Sequence, residues 1–325
     1  MRVIFMGTPE LACVCLRALV AQPELQIVAV VTQPDRPSGR DLKLRASPVK
    51  EFAVASSLPV LQPERARQPE FIAELTRLQP DLIAVAAFGR ILPKAILDLP
   101  RFGCLNVHTS ILPKYRGAAP IQWAMLNDEA ETGVTIMQMD VGLDTGPILT
   151  QEKTPILPED TAESLHDRLA GMGAELLVKT IPVYVDGKAA PMPQPSKGVS
   201  YAPRIKKEDG RIDWKQPART IWNRVRGLRP WPGAYAYLSP IRRREPGPGG
   251  PAGAPREMLK IWEAEVVGEK SGAPGEVLEA GRQGLVVACG KDALRVLTLQ
   301  REGGKRLAAA QFLAGHSVKA GERLE

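Results

Sequence analysis

Three short runs constrain the first half of this chain most. Val3–Met6, Ile27–Val31 and Asp81–Ala87 carry apolar side chains at nearly every position, with no polar alternation. Runs of this length are too short for stable helices and too uniformly apolar for strands with one wet face. Strands buried on both sides belong to a parallel sheet covered by helices. Helical segments separate them. Leu11, Val14, Cys15, Ala18 and Leu19 recur at helical spacing, and Ser47-Pro48 opens a second helix with Val49, Phe52 and Ala53 on its apolar side. Val60-Leu61 is a further short strand and Phe71–Leu78 a further helix. Such βαβα order, with right-handed crossovers, predicts an open, doubly wound α/β sheet. Gly7-Thr8-Pro9 occupies the first strand-to-helix turn, where dinucleotide-binding sheets carry Gly-x-Gly-x-x-Gly. The later glycines are missing, so the turn is read as structural and no nicotinamide cofactor is expected. Thr8 is expected to cap the helix, with Pro9 in its first turn.

Cys104–Val107 and Thr135–Met139 read as further strands, and Ala118–Leu126 and Ala162–Tyr184 as helices. The Pro-rich stretch Pro191–Ser196 is a natural linker. Beyond it the pattern changes. One helix, Ala218–Arg226, precedes five short strands, Ala234–Leu238, Met258–Val267, Gly275–Glu279, Leu285–Ala288 and Leu294–Leu299, with Ala308–Leu313 as a closing helix. That spacing predicts a small antiparallel barrel. The expected domains are therefore residues 1–189, a linker over 190–205, and residues 206–325. Residues 242–251, rich in Arg, Gly and Pro, read as a turn insertion.

The 325 residues carry a net charge of +7, unevenly shared: residues 1–189 sum to −3 and residues 190–325 to +10. A basic second domain points to a polyanionic partner, or else to a merely solvated surface. No apolar run approaches the ~20 residues of a membrane span. No basic, apolar and small-residue segments follow in series at the N-terminus, so export is not expected. Four dispersed cysteines (Cys13, Cys15, Cys104, Cys289) suggest neither a disulfide framework nor a metal knuckle and fit a reduced, cytoplasmic setting.

Two segments hold the chemistry. In Cys104-Leu105-Asn106-Val107-His108-Thr109-Ser110, Asn106 and His108 are two apart on a strand and share one face. Beyond it, Pro113-Lys114-Tyr115-Arg116-Gly117 must break away as a loop, at the strand ends where open α/β sheets bind ligands. After the Thr135–Met139 strand, Val141-Gly142-Leu143-Asp144-Thr145-Gly146 is a Gly-punctuated loop bearing a carboxylate. Taken alone, His108 reads more readily as a satisfied structural imidazole and Asp144 as a turn-capping aspartate.

Together they change the reading. Asn106-x-His108-x-Ser110-x-Leu112-Pro113, then Arg116-Gly117-Ala118-Ala119-Pro120-Ile121, then the run from Thr132 to Gly146, resembles the folate-dependent formyltransferases. Phe5–Pro9 and Thr32–Arg40 are similar to one branch of that family, and the likeness covers nearly the whole chain. Thr109 and Ile111 stand where Gly and Leu are common, and Pro147 where an acidic residue is frequent. The resemblance implies a Rossmann-like catalytic domain with a basic, OB-like C-terminal barrel. It implies 10-formyltetrahydrofolate as donor and the amino group of methionyl initiator tRNA as acceptor. It also implies Asn106, His108 and Asp144 as the catalytic trio, Ser110, Ile111, Leu112 and Pro113 as a folate-contacting segment, and no metal. A formyltransferase acting on a nucleotide-linked amino sugar and a non-catalytic RNA-binding protein are the alternatives.

Arg36, Arg40, Lys43 and Arg45 form a basic loop after the second strand, expected to meet the acceptor end of the tRNA. Lys206 and Lys207 are expected to touch its phosphates. Trp222, Trp231, Tyr235 and Tyr237 are expected mainly as barrel core, with stacking on bases as the other possibility. A monomer is expected.

Overall fold

The structure, a computed structural model, describes residues 1–38, 43–238 and 257–325. Two compact units emerge. The first comprises Met1–Ile121, Ala130–Leu157 and Ser164–Arg204; the second comprises Gln122–Glu129, Pro158–Glu163 and Ile205–Glu325.

The first unit is built on β1 (Arg2–Gly7), α1 (Glu10–Val20), β2 (Gln26–Val31), β3 (Arg36–Ser38), β4 (Lys43–Arg45), α2 (Pro48–Ala55), β5 (Val60–Leu61), α3 (Pro69–Arg77), β6 (Leu82–Ala86), α4 (Lys94–Leu97), β7 (Cys104–His108) and β8 (Arg116–Gly117). After helix α5 (Pro120–Leu126) come β9 (Glu131–Gln138), β10 (Ile148–Pro155), α6 (Ala162–Val185) and β11 (Tyr201–Ala202). The sheet order is β10-β9-β7-β6-β1-β2-β5. Strands β5, β2, β1, β6 and β7 run parallel, and the β1–β6 neighbours mark the point where the winding reverses. The apolar runs behave as their composition requires: Val3, Ile4, Phe5, Met6, Leu82, Ile83, Ala84 and Ala86 have no exposed surface.

Several local expectations are corrected. Strand β9 pairs antiparallel to β7, and β10 antiparallel to β9, so the parallel sheet carries an antiparallel edge. Strand β10 escaped the sequence because its outer residues, Gln151 to Lys153, are exposed, as suits an edge. Thr8 does not cap α1. Pro9 is the capping residue, and the Thr8 hydroxyl instead accepts a 3.4 Å hydrogen bond from the Gln33 N–H. Ser47 does cap α2, accepting from the Lys50 N–H at 3.2 Å. Part of the basic loop is a hairpin, with Arg36 opposite Arg45. A side chain at Gly7 would meet the Ala86 carbonyl at 2.8 Å, so this glycine lets β1, β6 and α1 pack closely. Residues 192–202 of the expected linker are bonded to this unit: Met192 bridges Ile148, and β11 pairs with β8.

In the second unit, α7 (Ala218–Gly227) packs on an antiparallel sheet of β12 (Ala234–Leu238), β13 (Glu257–Val267), β14 (Val277–Gly281), β15 (Gly284–Ala288), β16 (Ala293–Arg301) and β17 (Arg306–Ala308), followed by α8 (Ala309–Gly315). The order is β12-β13-β16-β15-β14, with β17 on β16. The two outer strands are joined by the last residues: Leu324 bridges Leu238, and Arg323 bridges Glu276. Tyr235 is buried, but Trp231 is exposed and is not core. Trp222 lies under the guanidinium groups of Arg219 and Arg226, 4.4 and 4.1 Å from its ring centre. The Arg242–Pro251 insertion lies outside the described residues.

Candidate active site

The reversal between β1 and β6 leaves a crevice beyond the strand ends, where doubly wound sheets bind ligands. A cavity of about 430 Å³ lies there, bordered by Leu11 after β1, Ala87–Ile91 after β6, Asn106–His108 on β7 with Thr109 just beyond, and Leu143 and Asp144. Its wall is largely apolar, with a few convergent polar groups, the usual make-up of a small-molecule site. Asn106 and His108 share the face that alternation requires, and the Asp144 loop meets them.

His108 is almost fully buried. Its Nε2 lies 2.9 Å from the Tyr115 carbonyl oxygen, which can only accept, so Nε2 carries a proton and donates. Nδ1 is then the nitrogen left to act on a ligand, and it lies 3.6 Å from Asp144 Oδ2. The same carboxylate oxygen accepts from the Gly117 N–H at 2.8 Å. The Asn106 carboxamide has no hydrogen-bond partner among the described residues, although it faces the cavity. Its donor and acceptor are therefore open to a ligand.

Backbone strain gathers at this place. Ala87, Tyr115 and Asp144 have φ of 43°, 63° and 52°, in the left-handed region that side chains disfavour. Such conformations persist when surrounding contacts hold them, commonly at functional sites. Gly146 closes the Asp144 loop, where an added Cβ would sit 1.9 Å from the Gln138 carbonyl oxygen. Asp140 ties the loop from within, accepting from the Gly142 N–H and the Thr145 hydroxyl at 3.0 and 2.7 Å.

The segment expected to contact folate lies differently. None of Ser110, Ile111, Leu112 and Pro113 borders the cavity. Ser110 is fully buried and its hydroxyl donates to the Lys114 carbonyl at 2.6 Å. The buried Thr135 hydroxyl donates to the Ser110 carbonyl at 2.7 Å and accepts from the Leu112 N–H at 3.2 Å. These bonds shape the turn that carries Tyr115 to His108. Cavity residues Ala87–Ile91 were missed by sequence reasoning. The available signal was Gly89 just past a fully buried strand. Desolvation pushes the Cys104 thiol up to about 12, which leaves it unsuited to act as a nucleophile.

Arg36 and Arg45 are exposed on the β3–β4 hairpin, and Lys43 lies on β4. Arg40 lies outside the described residues. Lys206 and Lys207 are exposed at the start of the long segment of the second unit. That unit has a second cavity, of about 500 Å³, bordered by Arg211, Trp214, Lys215 and Arg323, without an amide–imidazole–carboxylate set. Among the described residues, no helix is long and apolar enough to cross a membrane.

A winding-reversal crevice holding an amide, an imidazole and a carboxylate is that of a doubly wound protein equipped for polar acyl-group chemistry. Comparison narrows this. The formyl transferase family profile matches residues 1–181, and the formyl transferase C-terminal domain matches residues 204–317. The chain belongs to the formyl transferase family. It is 50% identical over 321 residues to the methionyl-tRNA formyltransferase of Citrifermentans bemidjiense, covering 99% of this chain and 95% of that protein. It is 47% identical over 328 residues to that of Caldanaerobacter subterraneus subsp. tengcongensis, covering 100% of both. Among solved structures, the N-formyltransferase from Helicobacter canadensis, in complex with folinic acid and dTDP-3-aminofucose, superposes with a TM-score of 0.62 at 20% identity, over 90% of this chain and 98% of that one. HypX from Aquifex aeolicus, in complex with tetrahydrofolic acid, gives 0.58 at 18% identity over 96% of this chain. The chain spans about half of HypX (47%), and both likenesses speak to the fold.

Proposed function

We propose that this protein moves the formyl group of 10-formyltetrahydrofolate to the α-amino group of methionyl initiator tRNA. The observation that carries the reading is the meeting of Asn106, His108 and Asp144 on one cavity, in a chain half identical to a methionyl-tRNA formyltransferase over nearly its full length. The apolar wall of Leu11, Val85, Phe88, Ile91, Met139 and Leu143 suits a flat heterocycle such as a reduced pterin. The Ser110–Pro113 turn serves that pocket by fixing the Tyr115 carbonyl.

The chemistry follows from the site. The amine lone pair attacks the formyl carbon and an oxyanion develops on the formyl oxygen. The Asn106 N–H donates to that oxygen, in a site whose donors are already oriented. No enzyme nucleophile is needed, because an α-amino group has a reference pKa of about 7.7–8.0 and a useful fraction is neutral near pH 7. With Nε2 held protonated by Tyr115, Nδ1 of His108 takes the proton that the attacking nitrogen sheds. Asp144, 3.6 Å away, steadies the imidazolium. As the bond from carbon to the folate nitrogen breaks, that nitrogen recovers the electron pair and receives the proton.

The first unit acts as the catalytic unit and its hairpin cations Arg36, Lys43 and Arg45, with Arg40 between them, meet the acceptor end of the tRNA, while the second unit tracks the tRNA phosphates. Arg36 and Arg45 stand opposite each other across the ladder and place two cations side by side for a phosphate backbone. The protein acts as a cytoplasmic monomer. The test mixes it with 10-formyltetrahydrofolate and methionine-charged initiator tRNA and measures formylmethionyl-tRNA. Product with a nucleotide-linked amino sugar in its place, or folate turnover without any acceptor, would reject the assignment. Arg40→Ala should impair transfer to tRNA far more than acceptor-free hydrolysis of the donor; equal losses would reject the loop's role.

A further inference from the structure

The Pro-rich stretch, read from sequence as a linker, reaches the site. Gln194 Nε2 donates to two carbonyls of the Asp144 loop, that of Asp144 at 2.7 Å and that of Gly146 at 2.8 Å. Its Oε1 accepts from Arg116, at 3.0 Å from Nε and 2.6 Å from Nη2. A guanidinium fork can only donate, so it fixes which end of the amide faces the loop. Arg116 immediately precedes Gly117, whose N–H holds the Asp144 carboxylate. Both ends of Asp144 are thus tied to the same dipeptide. The carboxylate is held directly by Gly117, and the backbone carbonyl is held by Arg116 through Gln194.

The same stretch grips the other side of the site. The Ser200 hydroxyl accepts from the Tyr115 N–H at 2.9 Å, and the Ser200 carbonyl accepts from the Arg116 N–H at 2.9 Å. Tyr115 is the residue whose carbonyl orients His108. The approach is close enough that a Cβ at Gly117 would lie 2.7 Å from the Ala202 carbonyl oxygen.

We propose that Gln194 is a positioning residue: oriented by Arg116, it holds Asp144 in its left-handed conformation so that the carboxylate stays against His108. The inference rests on the functional reading above but has a readout that does not depend on it. Gln194→Glu is the informative variant. A carboxylate keeps the contact with Arg116 yet cannot donate to either loop carbonyl. Misplacing a reacting group by about 1 Å can cost ~100-fold in rate, so kcat should fall about 10- to 100-fold. KM for the formyl donor should stay within about threefold, because donor contacts shared by ground and transition states are untouched. Amide exchange over residues 141–146 should quicken, while the melting temperature stays within about 2 °C. Arg116→Lys, which loses the fork but keeps the charge, should move kcat and exchange in the same direction by less. Wild-type kcat and exchange in Gln194→Glu would overturn the proposal. So would a parallel collapse of kcat, KM and melting temperature in both variants, which marks a general structural role. If the wild-type protein forms no formylmethionyl-tRNA, the functional reading fails, while the exchange measurement still decides whether Gln194 holds the loop.

Discussion

Asn106 offers the sharpest separation of chemistry from stability. Its carboxamide is half-buried on the interior strand β7, faces the cavity and has no partner among the described residues. Asn106→Ala therefore leaves no buried donor or acceptor stranded inside the protein, the event that makes polar deletions costly. The loss of stability should stay near ~0.5 kcal/mol, the range of substitutions that break no internal contact. The transition state fares differently. Removing one oxyanion donor costs about 100- to 1,000-fold in kcat, equivalent to roughly 2.7–4 kcal/mol of barrier. Asn106→Asp has the same shape but presents acceptors to a developing negative charge, so it should be at least as damaging. Single-turnover formylation under saturating donor, with thermal melts on the same preparations, measures both quantities. A rate within about threefold of wild type in Asn106→Ala would refute the donor role. A melting loss large enough to account for the rate would refute the claim that this side chain is free of structural duty.

Ser110→Ala should behave in the opposite way. It removes the bond from a fully buried hydroxyl to the Lys114 carbonyl, at about 0.5–1.5 kcal/mol, so melting should suffer more than KM for the folate donor; a selective rise in KM would instead mark Ser110 as a direct contact. Gly146→Ala forces the loop away from the Gln138 carbonyl and should abolish measurable transfer while donor binding by fluorescence or calorimetry persists. Burial raises the thiols of Cys15, Cys104 and Cys289 from 9.0 to about 12. The unfolded chain then ionises these groups first, so their contribution is complete below pH 9 and is lost as pH rises toward 12. The loss is up to about 1.4 kcal/mol per pH unit for each thiol, and chemical denaturation between pH 8 and 11 would detect it.

Some of this protein was written along the chain and some only in space. The parallel sheet followed from Val3–Met6, Ile27–Val31 and Asp81–Ala87, because burial on both faces demands uniformly apolar strands. The pairing of Asn106 with His108 followed from the two-residue period of a strand. Strand β10 was hidden because an edge strand needs only half its residues buried and so blends with loop composition. The groups that orient the trio were hidden for a different reason. The Tyr115 carbonyl and the Gly117 N–H belong to the backbone, which every residue possesses, so no side-chain pattern announces them. Gln194 lies 50 residues from Asp144 in a stretch that its prolines mark as a connector.

Residue order alone therefore determined which strands would be interior, since that depends on local composition and period, while the acyl-transfer trio was named by the resemblance of its motifs to the formyltransferases. Only the folded chain decided where Asp144 stands and what keeps it there. That depends on main-chain hydrogen bonds and a left-handed backbone angle, and these are set by segments that meet only after the sheet has formed.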